Sequence, residues 1–306
     1  MIYLNIYYKN KLKSTILNPE IINQLDSLYL KAKMIVEGYM SGLHKSPYHG
    51  FSIEFSEHKA YGVGDETRNI DWKLWGKTDK YYVKRFEEET NMSAHIFLDS
   101  SKSMAYASNS ITKFEYAKLI TATFGYLMMQ QKDATGLFVF DTKIKYSIHP
   151  KNSKSHLSTL LSIVENTKIG EDTNIAKVLH VGAEKIKKKG LIILISDLLD
   201  EPKKIINSLK HFKYNKNEVL VFHLLDPKEL TLEFNEHTIF EDLEDNIKIE
   251  TEPWLIANSY KKEIENLINF YKTECLINKI DYHLVKTNQD IGMVITKFLN
   301  KRKTLL

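Results

Sequence analysis

Residues 94–103 read Ala-His-Ile-Phe-Leu-Asp-Ser-Ser-Lys-Ser, and this stretch decides the fold class. Its first half is a short apolar run with the length of a buried strand. Its second half places the oxygen-bearing side chains of Asp99, Ser101 and Ser103 directly after that run. In open α/β sheets, ligands bind outside the carboxyl ends of the strands. The stretch therefore predicts a buried strand that ends at a candidate binding loop.

Strand-length apolar runs and helical patterns alternate from residue 93 to residue 225. The predicted strands are Ala94–Leu98, Thr135–Phe140, Lys143–Ile148, Leu191–Ile195 and Val219–Leu224. The predicted helices are Lys113–Gln131, Lys154–Asn166, Ile175–Lys188 and Pro202–Phe212. This alternation predicts an α/β fold in which a mainly parallel central sheet carries helices on both faces.

The remaining segments predict elements on either side of this region. A helix is predicted over Ile21–Met40, with Gly42 ending it, and a β-rich module over residues 43–89. An acidic stretch after Asp226 predicts an edge hairpin, and the patterns beyond it predict a helix over Trp254–Cys275, a strand over Asp281–Val285 and a helix over Asp290–Asn300. We therefore divide the chain into an N-terminal helix and β-rich module at 1–92 and an α/β domain with a C-terminal extension at 93–306.

The composition argues against several classes of protein. With 43% hydrophobic and 27% charged residues, the chain is typical of a globular protein. Its net charge of +4 comes from basic and acidic residues mixed along the chain, so we expect no nucleic-acid partner. No run approaches the roughly 20 apolar residues of a membrane span, and the N-terminus lacks the pattern of an export signal. The single Cys275 forms no internal disulfide, and we expect a cytoplasmic protein.

Two further loops supply oxygen atoms that a metal ion would need. Thr173 stands before a predicted helix, and Asp197 follows the apolar run Leu191–Ile195. Together and in this order, Asp99, Ser101, Ser103, Thr173 and Asp197 resemble the metal-ion-dependent adhesion site of von Willebrand factor A-like domains. The resemblance implies a Rossmann-like sheet and a cation held by the three hydroxyl groups, with the aspartates binding it directly or through water.

These five side chains suit a hard cation, Mg²⁺ or Mn²⁺, because such ions prefer oxygen ligands. A shell dominated by neutral hydroxyl groups leaves much of the positive charge uncompensated, so a carboxylate from another molecule gains more at this ion. We therefore predict a protein partner that offers an Asp or Glu to the metal. A structural interpretation stands beside this one, in which the first loop caps a helix, Thr173 is an N-cap and Asp197 begins a turn.

Residues 61–72 read Tyr-Gly-Val-Gly-Asp-Glu-Thr-Arg-Asn-Ile-Asp-Trp and precede the predicted metal site. This string resembles the bacterial family catalogued as domain of unknown function 58, which carries Gly-Asp-x-x-Arg-x-Ile-Asp-Trp in the same place. Val63 stands where the family often has Pro, a departure that should alter only the rigidity of the turn. The resemblance implies an adaptor that acts with a MoxR-type AAA+ ATPase in the assembly or activation of other proteins.

Asp65, Arg68, Asp71 and Trp72 form a candidate partner-docking segment within this string. Arg and Trp are the residue types most enriched at interface hot spots. The structural interpretation is a charge-assisted network that fixes the segment in place, with Trp72 and Trp75 as apolar anchors.

We expect no enzymatic activity, because the sequence has neither a Gly-x-Ser-x-Gly elbow nor a phosphate-binding Gly-x-x-x-x-Gly-Lys loop. The alternative is a metal-dependent hydrolase that uses the same cation and takes a base from Glu87–Glu89, although this acidic run is more simply a salt-paired edge. A domain with a vestigial site is a third interpretation. His44, His49 and His58 lack an established zinc spacing.

Overall fold

The computed structural model describes residues 27–43, 58–60, 62, 72–78, 80–84, 92–232, 238–241, 248–251 and 253–295. Its helices are α1 (Leu28–Leu43), α2 (Trp72–Thr78), α3 (Lys113–Gln130), α4 (Lys154–Asn166), α5 (Ile175–Lys185), α6 (Pro202–Tyr214), α7 (Pro227–Thr231) and α8 (Pro253–Ile277). Its strands are β1 (His58–Ala60), β2 (Tyr82–Lys84), β3 (Ser93–Asp99), β4 (Ala134–Phe140), β5 (Ile144–Lys151), β6 (Leu191–Ser196), β7 (Glu218–Leu225), β8 (Thr238–Glu241), β9 (Lys248–Thr251) and β10 (Asp281–Lys286).

The chain divides into a larger compact unit, Met1–Lys45 with Met92–Leu306, and a smaller unit, Ser46–Asn91. In the smaller unit β1 and β2 pair antiparallel. Helix α2, which the sequence did not predict, also belongs to this unit. The β-rich character of the N-terminal module stays a prediction.

A six-stranded sheet with the order β10-β7-β6-β3-β4-β5 forms the centre of the larger unit. Its neighbouring strands are parallel except at the β4–β5 pair, where edge strand β5 runs antiparallel. Every residue of β6 is buried, and its sequence Leu-Ile-Ile-Leu-Ile-Ser has the unbroken apolar character of a parallel strand covered on both faces. The predicted α/β fold with a mainly parallel central sheet is confirmed.

Two apolar cores lie on opposite faces of this sheet, because successive strand side chains point in opposite directions. Ile96 and Leu98 of β3 pack with helices α1, α3 and α4, whereas Phe97 between them packs with α5, α6 and α8. The predicted cover of helices on both faces is therefore confirmed. Cys275 of α8 is buried in the second core, as its apolar surroundings in the sequence predicted.

Helix α1 packs against helices of the sheet domain. The rings of Tyr29 and Tyr126 meet edge to face with centroids 5.5 Å apart, and the Tyr126 hydroxyl donates to Glu37 Oε1 at 2.9 Å. At the start of α1, the backbone N–H of Leu28 donates to Glu165 Oε1 at 2.8 Å. The sequence-based division at residue 92 grouped this helix with the β-rich module, whereas its contacts lie with α3 and α4.

Several element ends differ from their predicted positions. Gly42 does not end the first helix, which continues to Leu43. Helix α5 ends at Lys185 rather than Lys188, because Ile186 takes an extended conformation with φ −89° and ψ 97°. The predicted acidic edge hairpin corresponds to β8 and β9, which pair antiparallel but form a two-stranded sheet of their own and not an edge of the central sheet. Residues 291–295 of the last predicted helix are helical, and its remainder lies outside the described residues.

Candidate functional site

The predicted binding loops meet at the carboxyl edge of the sheet. Leu98 of β3 pairs with Ile195 of β6, so the loops that begin at Asp99 and Asp197 leave the sheet side by side. The loop that carries Thr173 is joined to the first loop by backbone hydrogen bonds. The N–H of Gly170 donates to the Ser100 carbonyl at 2.7 Å, and the N–H of Lys102 donates to the Glu171 carbonyl at 3.0 Å.

The first loop presents a buried group of hydroxyl and carboxylate oxygens. The N–H of Ser101 donates to Asp99 Oδ1 at 2.9 Å, and the Ser196 hydroxyl donates to Asp99 Oδ2 at 2.6 Å. The hydroxyls of Ser101 and Ser103 lie 3.1 Å apart. Asp99 and Ser101 are both fully buried. This loop thus places three predicted ligands within a few residues of one another in a buried part of the chain.

Helix capping does not account for these side chains. Ser101 occupies the N-cap position of a short 3₁₀ helix, Lys102–Ala105, but its side chain makes no capping hydrogen bond. Asn174, not Thr173, caps helix α5 by accepting a hydrogen bond from the N–H of Lys177 at 3.1 Å. The capping interpretation is therefore wrong for Thr173, whose hydroxyl is left for another partner.

The hydroxyl of Thr173 tests whether the site fits a metal ion. Its Oγ1 atom is buried, yet none of the residues that the structure describes forms a hydrogen bond with it. A buried hydroxyl without a partner costs about 1–3 kcal/mol, so such groups usually bind an ordered water or a ligand. Thr173, the two serines and the aspartates have the oxygen chemistry of a Mg²⁺ or Mn²⁺ site, so the residues fit the ion that the resemblance implies.

The electrostatics of the site favour an added positive charge. Burial and the nearby carboxylate of Asp197 together raise the pKa of Asp99 to about 7, against hydrogen bonds from Ser196 and Ser101 that lower it. Two carboxylates this close disfavour each other's ionised form. A divalent cation between them would remove that repulsion.

Lys113 is the site residue that the sequence analysis missed. Its side chain is fully buried, and its Nζ donates to Asp197 Oδ2 at 2.8 Å and to Glu229 Oε1 at 2.6 Å. Burial alone lowers the pKa of Lys113, but the carboxylates of Asp197 and Glu229 raise it above its ordinary value, so the ammonium stays charged. One signal was available in the sequence: Thr112 and Glu115 form a capping box that makes Lys113 the first residue of α3.

Lysines pair with the acids at the rim of the site. Lys145 Nζ lies 3.0 Å from Asp141 Oδ2, and Lys102 Nζ lies 3.3 Å from Asp172 Oδ1. A side chain at Gly170 would collide with the side-chain ends of Asp141 and Lys145, so a larger residue there would displace this ion pair. The rim acids are therefore engaged in ion pairs.

The other predicted functional residues are only partly described. Within the described ranges there is no group of three or more His, Cys, Asp or Glu side chains that could hold a metal ion. His44 and His49, the acids Glu87–Glu89, and Asp65, Arg68 and Asp71 of the docking segment lie outside the described residues. Trp72 begins α2 with an exposed side chain and meets Trp75 edge to face at 6.2 Å. Partner docking at this segment stays a prediction.

The fold is an α/β domain whose mainly parallel six-stranded sheet carries the candidate oxygen ligands at its carboxyl edge. The chain belongs to the family described as "Protein of unknown function DUF58", whose pattern matches residues 57–266. The uncharacterized protein Rv1480 of Mycobacterium tuberculosis is 20% identical over 247 residues, which cover 79% of this chain and 77% of that protein. The uncharacterized protein Mb1516 of Mycobacterium bovis shows the same identity and coverage.

Solved structures that match the chain at low identity include two α/β proteins. The conserved hypothetical protein BatB from Bacteroides thetaiotaomicron has a TM-score of 0.48 and 15% identity, covering 70% of this chain and 99% of its own. The VWA domain of SpRpn10 has a TM-score of 0.40 and 10% identity, covering 68% of this chain and 95% of its own. Among the described helices of the present chain, none is both long and apolar enough to cross a membrane.

Proposed function

We propose that this protein binds Mg²⁺ or Mn²⁺ at the carboxyl edge of its sheet and uses the ion to bind another protein. The ligands in this proposal are Asp99, Ser101, Ser103, Thr173 and Asp197. The partner supplies an Asp or Glu that completes the coordination of the ion. The fold class and the family agree with a role in protein interaction.

The buried hydroxyl of Thr173 is the observation that carries the proposal. Its Oγ1 has no hydrogen-bond partner among the described residues, and its loop is held to the loop of Asp99 and the two serines by backbone hydrogen bonds. A cation would satisfy Thr173 and relieve the repulsion between the carboxylates of Asp99 and Asp197. One ligand thus accounts for a lone hydroxyl and for a pair of buried acids.

The proposal contains no catalytic step. Hydrolysis by a bound metal ion usually also needs a general base within reach of the attacking water. Three of the described acids around the site pair with lysines: Asp141 with Lys145, Asp172 with Lys102 and Glu229 with Lys113. These pairings support a binding role over the alternative of a metal-dependent hydrolase.

A MoxR-type AAA+ ATPase or its client is the partner that we propose, on the basis of the family resemblance. The cytoplasmic location belongs to the same proposal, since such ATPases need cellular ATP. A single buried cysteine suits that compartment.

Calorimetric titration with Mn²⁺ tests the metal site directly. We expect wild type to bind one ion, and Ser101→Ala and Thr173→Ala to bind it at least about tenfold more weakly, because each removes a ligand oxygen. Ser162→Ala and Thr159→Ala are matched controls, since both residues are exposed on helix α4. Equal affinity in all five proteins would place the metal elsewhere or remove it from the function.

Binding of the purified MoxR-type ATPase from the same organism tests the partner. We expect binding with Mg²⁺ and its loss with EDTA or Ser101→Ala, because a charged contact at a desolvated interface contributes roughly 2–5 kcal/mol. Binding that survives both treatments would move the interface away from the metal, to the segment of Asp65 to Trp72. Phosphatase and peptidase assays with Mn²⁺ test the hydrolase alternative in the same preparations.

A further inference from the structure

Lys113 is a buried cation inside a site that we propose for another cation. Its side chain has no exposed surface, and its Nζ contacts carboxylate oxygens of Asp197 and Glu229. Burying an ammonium group costs several kcal/mol by order of magnitude unless charged partners offset the loss of hydration. The two carboxylates provide that compensation, and one of them is a proposed metal ligand.

Lys113 lies at a helix position where a lysine does not stabilise the helix. Its tertiary contacts therefore explain why a lysine is found there. Thr112 caps helix α3, so Lys113 is the first helical residue. A positive charge at a helix N-terminus opposes the helix dipole, which favours acids there. Lys154 holds the same position in α4, after the cap Ser153, but is exposed to solvent. Only Lys113 of these two is turned into a buried pair of acids.

Glu229 is held rigidly in place to receive the lysine. Its Oε2 accepts a hydrogen bond from the N–H of Asp226 at 2.7 Å in the capping box of α7, which leaves Oε1 for Lys113. Asp226 in turn accepts from the N–H of Ser108 at 3.0 Å. Glu229 is thus fixed by one backbone hydrogen bond of its own turn, and Asp226 ties that turn to Ser108.

We propose that Lys113 is a charge-setting residue that weakens cation binding, so that the ion is held tightly only when a partner carboxylate completes its shell. The inference rests on the proposed function of the same site. The ammonium occupies Oδ2 of Asp197 and cancels part of the negative charge that an arriving Mg²⁺ or Mn²⁺ meets. Glu229 opposes this effect because it also binds the ammonium of Lys113. Lys113 and Glu229 together therefore set the affinity of the site for the divalent cation.

The proposal predicts opposite effects for two neighbouring substitutions. Lys113→Met adds one uncompensated negative charge to the site, and we expect it to bind Mn²⁺ about tenfold more tightly or better. Glu229→Gln leaves the ammonium to Asp197 alone, and we expect about tenfold weaker binding. The double variant should return to within about threefold of wild type, because the two charge changes cancel. Lys154→Met is the matched control and should leave the affinity unchanged.

Titration calorimetry with Mn²⁺, at fixed pH and ionic strength, measures all five proteins, and thermal melting in EDTA confirms that each is folded. A purely structural role for Lys113 predicts weaker binding in both single variants, which would overturn the inference. If Lys113→Met does not fold, Lys113→Gln takes its place: tighter binding supports the inference, and unchanged or weaker binding overturns it.

The same titration separates this inference from the proposed function. If wild type binds Mn²⁺ and the variants bind it equally well, charge setting fails and the metal site remains. If neither wild type nor Lys113→Met binds Mn²⁺, the proposed function fails and the inference with it. Binding by Lys113→Met alone supports charge setting at a site that the lysine keeps closed.

Discussion

The loops that follow β3 and β6 lie side by side, but they hold their buried carboxylates in different ways. Asp99 is contacted by a serine hydroxyl and a backbone N–H, both neutral donors. Asp197 is contacted by the ammonium of Lys113 at 2.8 Å. Both aspartates are fully buried. Helix α3 therefore supplies a counterion for Asp197, whereas Asp99 forms no ion pair with the described residues.

This difference assigns separate roles to two residues that look equivalent in the sequence. The loop of Asp99 is the part of the site where an added cation gains most, because burial has raised the pKa of its carboxylate to about 7. The carboxylate of Asp197 contacts Lys113 of helix α3. Lys113 in turn contacts Glu229 of helix α7. Buried ionisable groups with shifted pKa values are typical of functional sites.

The largest effect is expected from removing the counterion of the second loop. Lys113→Met leaves Asp197 and Glu229 as buried acids without a positive partner, and we expect a loss of about 3–5 kcal/mol in the free energy of unfolding. Urea denaturation in EDTA measures it. Lys154→Met, at the same helix position but exposed, should change stability by less than about 0.5 kcal/mol. Equal stabilities for the two variants would show that the buried pair contributes nothing.

Neutralising each aspartate in turn should change stability in opposite directions. At pH 8 without divalent ions, Asp99→Asn removes a buried carboxylate that is reluctant to ionise, and we expect a gain of about 1–3 kcal/mol. Asp197→Asn removes the partner of Lys113, and we expect a loss of similar size or larger. Urea denaturation of both variants beside wild type measures these changes. A lower free energy of unfolding in both variants would mean that both carboxylates stabilise the fold, against this prediction.

The stability gain expected for Asp99→Asn depends on pH in a definite direction. Folded Asp99 has a raised pKa of about 7, so between its ordinary value of 3.8 and about 7 the folded chain keeps a proton that the unfolded chain has lost. The stability that Asp99 contributes is present below the lower value and is lost as the pH rises through the higher one. The gain from Asp99→Asn should therefore be small at pH 5 and full at pH 8.

The smallest effect is the stabilisation of wild type by the cation itself. Mg²⁺ or Mn²⁺ at about tenfold its Kd adds about 1.4 kcal/mol and raises Tm by a few degrees. We expect Asp99→Ala to lose this increase. The increase should also shrink below pH 7, since protons compete with the ion for Asp99. Thermal melting with and without the ion measures it, and an equal increase in wild type and Asp99→Ala would refute the assignment of Asp99 as a ligand.

The sequence by itself determined the sheet and most of its helices. Strand β6 could be predicted because five consecutive apolar residues have few alternatives to a buried parallel strand, and helix α4 was predicted with its observed ends. The carboxyl edge of such a sheet is a known place for ligands, so the loop from Asp99 to Ser103 was found from its position after a buried run. Local signals were sufficient for these features because the information lies within about ten residues of chain.

The sequence left short elements and element ends undecided. Helix α2 contains Gly76 and has only seven residues, too few for a helical period to stand out. Helix α7 is shorter still, although Asp226, Pro227 and Glu229 carry the signature of a capping box with proline at the first helical position. Short helices such as these are stabilised by contacts with neighbouring structure. Their own sequence therefore carries only a weak helical pattern.

Only the tertiary structure decided how the charges of the site are balanced. Lys113 and Asp197 are separated by 84 positions in the chain, and Lys113 and Glu229 by 116. In the sequence Lys113 is one of many lysines, most of which remain hydrated at the surface. Its role follows from desolvation, a property of the place where a side chain ends up and not of the residues beside it in the chain. The sequence thus named the candidate oxygen ligands, and the fold alone placed a buried ammonium among them.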